Sequence, residues 1–182
     1  MHHSLRFYNG HRRGILRFYM FWARWNRLPL LGWLVRRLAN SYGSNMHRAY
    51  LLTPAEAEGM VDIAGGVALG PCTCRSVFRN CDNPVEAEIL LGPSRQILLE
   101  AMPPDTHEIT KEEARAILRD SHNRGLIHTV LKCRDDFYAI CNCCSCCCVP
   151  LRLSKQYGIG KALTRHTNIV QEFKEYQLSH EA

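Results

Sequence analysis

The sequence predicts an α+β protein, and three observations predict it. Two segments open with a threonine three residues ahead of a glutamate, each closes on glycine, and each then runs through a short apolar stretch into a cysteine. The ten cysteines are unevenly placed: none lies in the first 71 residues or the last 34, and six fall between Cys141 and Cys148. The first 55 residues differ in composition, with nine arginines, no lysine, aspartate or glutamate, all three tryptophans and ten of the sixteen aromatic residues. The expected architecture is two capped-helix/strand units around a cysteine-rich site, preceded by a basic amphipathic helical arm. The division is residues 1–45 for the arm and 46–182 for the cysteine domain.

The arm reads as helix in two parts. From Arg12 to Trp25, arginines alternate with Ile15, Leu16, Phe18, Tyr19, Met20, Phe21 and Trp22, the composition of a helix lying in a membrane interface, docking in a partner's groove or covering the cysteine domain. Pro29 suits a first helical position, Leu31, Leu34, Val35 and Leu38 recur at helical spacing, and Gly43-Ser44 close the arm. The first capped helix starts at Thr53-Pro54-Ala55-Glu56 and runs to about residue 64, where Gly65-Gly66 stop it. Val67-Ala68-Leu69 is then a short strand leading to Cys72. The second starts at Thr110-Lys111-Glu112-Glu113, places Ala114, Ile117, Leu118 and Ser121 on one face, and stops near Gly125. Leu126 to Leu131 is the strand that follows, leading to Cys133. A further strand is expected over residues 137–140, and Ile169, Val170, Phe173 and Tyr176 predict a closing helix.

Charge and targeting signals exclude several classes. The charge-free run at residues 137–151 falls short of the ~18 apolar residues of a spanning helix. Arg12-Arg13-Gly14-Ile15-Leu16-Arg17 has the look of a twin-arginine export motif, but Arg24 and Arg27 interrupt the hydrophobic region that would follow, so a cytoplasmic protein is expected, with membrane association on the cytoplasmic side through the arm. The net charge of +6 resides in the arm, and no nucleic-acid-binding motif accompanies it. Gly158-Ile159-Gly160-Lys161 lacks the spacing of a phosphate loop.

Disulfides, zinc and an iron–sulfur cluster all use many cysteines. Adjacent Cys146, Cys147 and Cys148 cannot readily pair with one another. A zinc site normally shows two separated Cys-x2-Cys pairs, whereas Cys141/Cys144, Cys143/Cys146 and Cys144/Cys147 overlap; crowded thiolates also suit a copper or zinc store. A [4Fe–4S] cube takes four thiolates, commonly three from one loop and one from elsewhere. Cys72, Cys74 and Cys81 supply one loop, and Cys141, Cys143, Cys144, Cys146, Cys147 and Cys148 supply a run whose neighbours must point apart and so can serve two sites. Cys133 is a further candidate ligand. Arg75, Lys132, Arg134 and Arg152 flank the cysteines, as befits an anionic centre.

The segments Gly70-Pro71-Cys72-Thr73-Cys74-Arg75, Cys81-Asp82-Asn83-Pro84-Val85-Glu86, Ile109 to Ala114, Gly125-Leu126-Ile127-His128 and Ile140 to Cys148 stand in an order that resembles a group of 4Fe–4S-binding, ferredoxin-like proteins of anaerobic bacteria and archaea. The resemblance covers about residues 50–155. It implies iron–sulfur binding and electron transfer to a redox partner protein. In those proteins ferredoxin cysteine motifs usually follow, whereas here no cysteine follows Cys148. The leading expectation is therefore a small electron-transfer protein with one or two clusters, [4Fe–4S] or a larger assembly. Its basic arm, residues 12–37, docks on a membrane surface or an acidic protein, with Arg12, Arg13 and Arg17 as the docking cations. The alternatives are a cluster-based reductase or activating enzyme, with His128 and Glu86 as acid/base candidates, and a metal or redox sensor or a metal-storage protein.

Overall fold

Both capping boxes form. Thr53 and Thr110 accept hydrogen bonds from the N–H groups of Glu56 and Glu113 at 3.3 and 3.1 Å, and each glutamate carboxylate accepts from the threonine N–H at 2.7 Å. Two of the unpaired donors at each helix start are thereby satisfied. The computed structural model describes residues 3–29, 31–101 and 106–180.

In chain order the elements are α1 (His3–Ala23), a 3₁₀ turn (Arg24–Arg27), α2 (Gly32–Asn45), β1 (His47–Leu51), α3 (Pro54–Ile63), β2 (Val67–Pro71), α4 (Thr73–Phe78), β3 (Glu86–Leu91), α5 (Ser94–Ala101), β4 (His107–Ile109), α6 (Lys111–Asn123), β5 (Ile127–Cys133), β6 (Asp136–Cys143), α7 (Val149–Tyr157), β7 (Leu163–Arg165) and α8 (Ile169–His180). The seven strands make one mixed sheet in the order β4-β2-β3-β6-β5-β1-β7, antiparallel except for the β1–β7 edge pair. The mixed α+β class expected from the sequence is the one observed.

The order of the six strands from β4 to β1 encodes a duplication. If β1-α3-β2-β3 is matched to β4-α6-β5-β6, the six-strand order reads the same from either end. The central pair is β3–β6. Each half gives its first strand away: β1 pairs antiparallel with β5 of the other half, and β4 with β2. Helices α3 and α6 lie side by side on one face.

That face is the main apolar core. Ile89, Leu91, Val130, Phe137 and Ile140 of the sheet pack against Met60, Val61, Leu118 and Phe173 of α3, α6 and α8, all of them fully buried. The other face carries Ala68, Leu90, Leu131, Ala139, Cys141 and Cys143, with Leu98 of α5 and Cys148 at the start of α7 above them. Helix α1 also lies on this side, where Leu16, Met20 and Ala23 pack against Val149, Tyr157 and Ile159. Helices cover both faces of the sheet, so the central strands β2, β3, β5 and β6 alternate between two buried environments, while the edge strands β4 and β7 stay largely exposed.

The arm departs from expectation at one point. Helix α2 begins at Gly32 rather than at Pro29. The Gly32 N–H donates to Leu28 O at 2.8 Å, and a Cβ at Gly32 would sit on the backbone of Asn26, so the chain reverses where only glycine fits. Arg12 is also placed differently. It is buried on the inner side of α1 and donates from Nη1 to the buried Glu88 of β3 at 2.6 Å, so it takes no part in a docking surface; Arg13 and Arg17 are exposed. A carboxylate inside a sheet needs a buried cation, and Arg12 is the one that α1 brings to it.

Candidate metal centre

The cysteines gather where β2 and β6 end, on either side of the start of β3. Strand β2 delivers Cys72 to the cap of α4, with Cys74 in its first turn; Cys81 follows in the loop that leads to β3. Strand β6 carries Cys141 and Cys143 on one face, the turn after it holds Cys144, Cys146 and Cys147, and Cys148 caps α7.

Four thiols converge. The sulfurs of Cys81, Cys144, Cys146 and Cys147 all lie within 4.8 Å of one another. Cys81 Sγ is 3.6 Å from Cys144 and 3.8 Å from Cys147, and Cys146 is 3.9 Å from Cys147. Cys144 and Cys147 are buried; Cys81 and Cys146 are half-buried, so the group opens toward the surface.

The surrounding loop is braced to hold these sulfurs. The Asn80 N–H donates to Cys147 Sγ at 3.2 Å, and its side chain donates to Cys146 O at 2.8 Å. Asn83 Nδ2 donates to Cys81 Sγ at 3.5 Å. Arg75, fully buried, donates to the carbonyls of Pro84 and Asn142, tying the Cys81 loop to the end of β6, and its positive charge lies near Cys144.

Burial opposes a thiolate at Cys81, but hydrogen bonds from Asn83, Cys146 and Cys144 outweigh it and bring the pKa down to about 6. Burial raises Cys146 and Cys147, and their hydrogen bonds to Cys81 add to the rise. Within the group the thiolate is therefore favoured at Cys81. Four soft donors with no carboxylate or imidazole among them suit a thiophilic metal, not calcium or magnesium.

The remaining cysteines divide. Cys72, Cys74, Cys141, Cys143 and Cys148 line a cavity of about 540 Å³ between the sheet and helices α1 and α2. Burial pushes the Cys72 thiol up to about 12; a hydrogen bond with Cys143, followed by burial, raises Cys141. Cys133 stands apart at the far end of the β5–β6 hairpin, paired in register with His47 and Asp136, four residues and about 13 Å along β5 from the Thr129–Cys141 pair. Two of the three consecutive pairs part company, Cys143/Cys144 and Cys147/Cys148 falling in different groups, whereas Cys146 and Cys147 converge in the surface group, contrary to the expectation that neighbours point apart.

Of the other flanking cations, Arg152 lies over the Phe78 ring at 4.8 Å, beside the loop that carries Cys81. Arg134 sits in the turn after β5 with φ 54°. Lys132 points to the opposite face, bonded to Glu172 and lying over Phe137. His128 is buried. Asn142 donates from Nδ2 to Ala87 O, so its Oδ1 accepts from His128 Nδ1 at 2.6 Å, and burial holds the imidazole below its ordinary pKa. This histidine is a packed, neutral residue that joins β5 to β6, and Glu86 is exposed at the start of β3. Asn80, Asn83 and Glu88 were not singled out from sequence. Only the Asn residues flanking Cys81 carried a local signal, as side chains able to bond sulfur.

Together these features define a cysteine-rich α+β protein with a four-thiol group able to hold a metal ion. A scan of protein-family models, a search of curated proteins and a search of solved structures each return no match to this chain.

Proposed function

We propose that the chain is a small iron–sulfur protein that transfers electrons to a partner protein. The convergence of Cys81, Cys144, Cys146 and Cys147 in a loop open to the surface carries this reading. An iron–sulfur cluster held by such thiolates supplies one-electron redox chemistry. The chain's own part is positional: Asn80 and Asn83 hold the sulfurs, Arg75 places positive charge beside Cys144, and the half-buried Cys81 edge leaves a short path to a docked partner.

A second reading has its own support. Three of the six sulfur separations, 3.6–3.9 Å, match the edge of about 3.8 Å of a tetrahedron of thiolates around one ion at ~2.3 Å, as in a single zinc or iron site, and all six lie within 4.8 Å. Iron and acid-labile sulfide, measured with an EPR spectrum on protein purified without oxygen, separate the two. Iron with matching sulfide supports a cluster, iron without sulfide a one-iron redox site, and zinc without sulfide overturns electron transfer.

The arm supplies the docking element. Phe18, Phe21, Trp22 and Trp25 form a chain of ring contacts, each 40% or more exposed; Phe18, Trp22 and Trp25 stand at the solvent-facing rim of the cavity under the arm, as do Leu34 and Leu38 of α2, and Trp33 is exposed beside them. Exposed Arg13, Arg17, Arg24, Arg27, Arg36 and Arg37 rim this surface with no acidic residue in the arm. Apolar rings ringed by arginine suit an anionic lipid surface, on which the protein lies at the cytoplasmic side. Among the described residues no helix is long and apolar enough to cross the membrane.

A further inference from the structure

We propose that Cys72, Cys74, Cys141, Cys143 and Cys148 form a second, deep metal centre, an anionic thiolate-held cluster of several metal ions, roofed by α1 and distinct from the surface group. The nature of the metal rests on the iron–sulfur reading; the existence of a second site does not.

Four observations carry it. The five thiols come from β2, α4, β6 and the cap of α7, yet all face one cavity of about 540 Å³. Cys141, Cys143 and Cys148 pack in one buried cluster on this face of the sheet, and Cys72 and Cys74 line the same cavity. Among the described residues only the surface group has three or more ligand atoms mutually within 4.8 Å. The deep thiols are therefore spread around a space many times the ~30 Å³ of a water molecule, which fits a cluster better than one ion.

The third observation is Arg12. It is 6% exposed, lines this cavity, and spends Nη1 on Glu88, while its Nε has no hydrogen-bond partner. A buried guanidinium donor left open beside five thiols calls for an anion, and a cluster held by thiolates is one. Fourth, the Thr129 hydroxyl lies 3.5 Å from Cys143 Sγ, so the wall holds a hydroxyl able to donate to a bound thiolate. The alternation at 143/144 and 147/148 makes the segment from Cys141 to Cys148 a partition with a metal site on each side. The two centres are then joined through single peptide units.

The test uses the full chain, loaded anaerobically with ferrous iron and sulfide, in three forms besides the unaltered protein: Cys72→Ser with Cys148→Ser, Cys81→Ser with Cys146→Ser, and Cys133→Ser. Iron per chain and tryptophan fluorescence are read on each. Trp22 and Trp25 line the cavity, so a deep cluster quenches them. Each double variant is expected to lose the iron of its own site and to keep that of the other. The deep variant also loses the quenching, the surface variant keeps it, and Cys133→Ser changes neither. Full iron and full quenching in the deep variant overturn the proposal, as does complete loss of iron in the surface variant. Should the deep variant fail to fold, the surface variant alone decides, by whether iron and quenching persist. Zinc in place of iron, divided between the two groups in the same way, would sink the redox reading and leave the second site standing.

Discussion

Cys81 is the residue through which the surface group meets solvent, and its chemistry follows from what touches it. Asn83 and two neighbouring thiols stabilise its thiolate, so in metal-free protein it is the nucleophile of the group, with a pKa of about 6. Alkylation with iodoacetamide, mapped by mass spectrometry against pH, should show Cys81 reacting first, with half-maximal rate near pH 6, and Asn83→Ala should move that midpoint upward. The sign for stability follows from the same lowering: the thiolate's contribution is fully present above the ordinary thiol value of 9.0 and is lost as pH falls through about 6. His47 acts at lower pH. Burial, and then the nearby Arg12 charge, hold it down to about 3, so the unfolded chain takes up a proton first and stability falls as pH drops from 6.5 toward 3. The thiols themselves were legible in sequence; which of them share a pocket was not. Spacing along a chain of overlapping Cys-x2-Cys pairs does not say which way each side chain points, and that depends on the strand face and on the turn at residues 144–147.

At the scale of elements, helices α3, α6 and α8 and strands β2, β5 and β6 were readable from local signals, whereas strands β1, β3, β4 and β7 were not. Helices α3 and α6 announced themselves through threonine–glutamate capping, and α8 through Ile169, Phe173 and Tyr176 on one face. Strand β3 hid because Glu86-Ala87-Glu88 lacks the apolar alternation of a strand, and Glu88 is tolerated there only because α1 supplies Arg12. Helices α5 and α7 are short, and β4 and β7 have three residues each, too few for a periodic pattern to emerge. The Arg12–Glu88 pair is thus the polar tie between the arm and the sheet. Arg12→Ala leaves a buried carboxylate without its cation and should lower stability in urea denaturation of the metal-free protein by about 3–5 kcal/mol. Pairing Arg12→Met with Glu88→Leu should recover most of that loss. Equal stability of Arg12→Ala and the unaltered protein would show that the pair contributes nothing.

At the scale of the whole molecule, charge and apolar surface are segregated. The positive, aromatic arm covers one side, and residues beyond it carry a net negative balance. In sedimentation with vesicles containing a quarter phosphatidylserine, the unaltered protein should bind, and Arg13→Glu with Arg17→Glu should weaken binding by at least roughly thirtyfold, from about 1 kcal/mol per arginine removed near the surface. Trp22→Ser with Trp25→Ser should weaken it further at high salt, where the apolar part remains. Binding that both pairs leave untouched would show that the outer face of the arm is not a lipid surface.

The exchange of first strands between the two halves of the sheet has one more consequence. Because β1 completes the second half and β4 completes the first, neither half closes its own hydrogen-bond ladder. Such an arrangement is what two copies of a shorter ancestor would form by trading strands, later fused end to end. The matched units hold three cysteines each, Cys72, Cys74 and Cys81 against Cys133, Cys141 and Cys143, and the asymmetry of the thiol sites comes from Cys144, Cys146, Cys147 and Cys148, which follow β6.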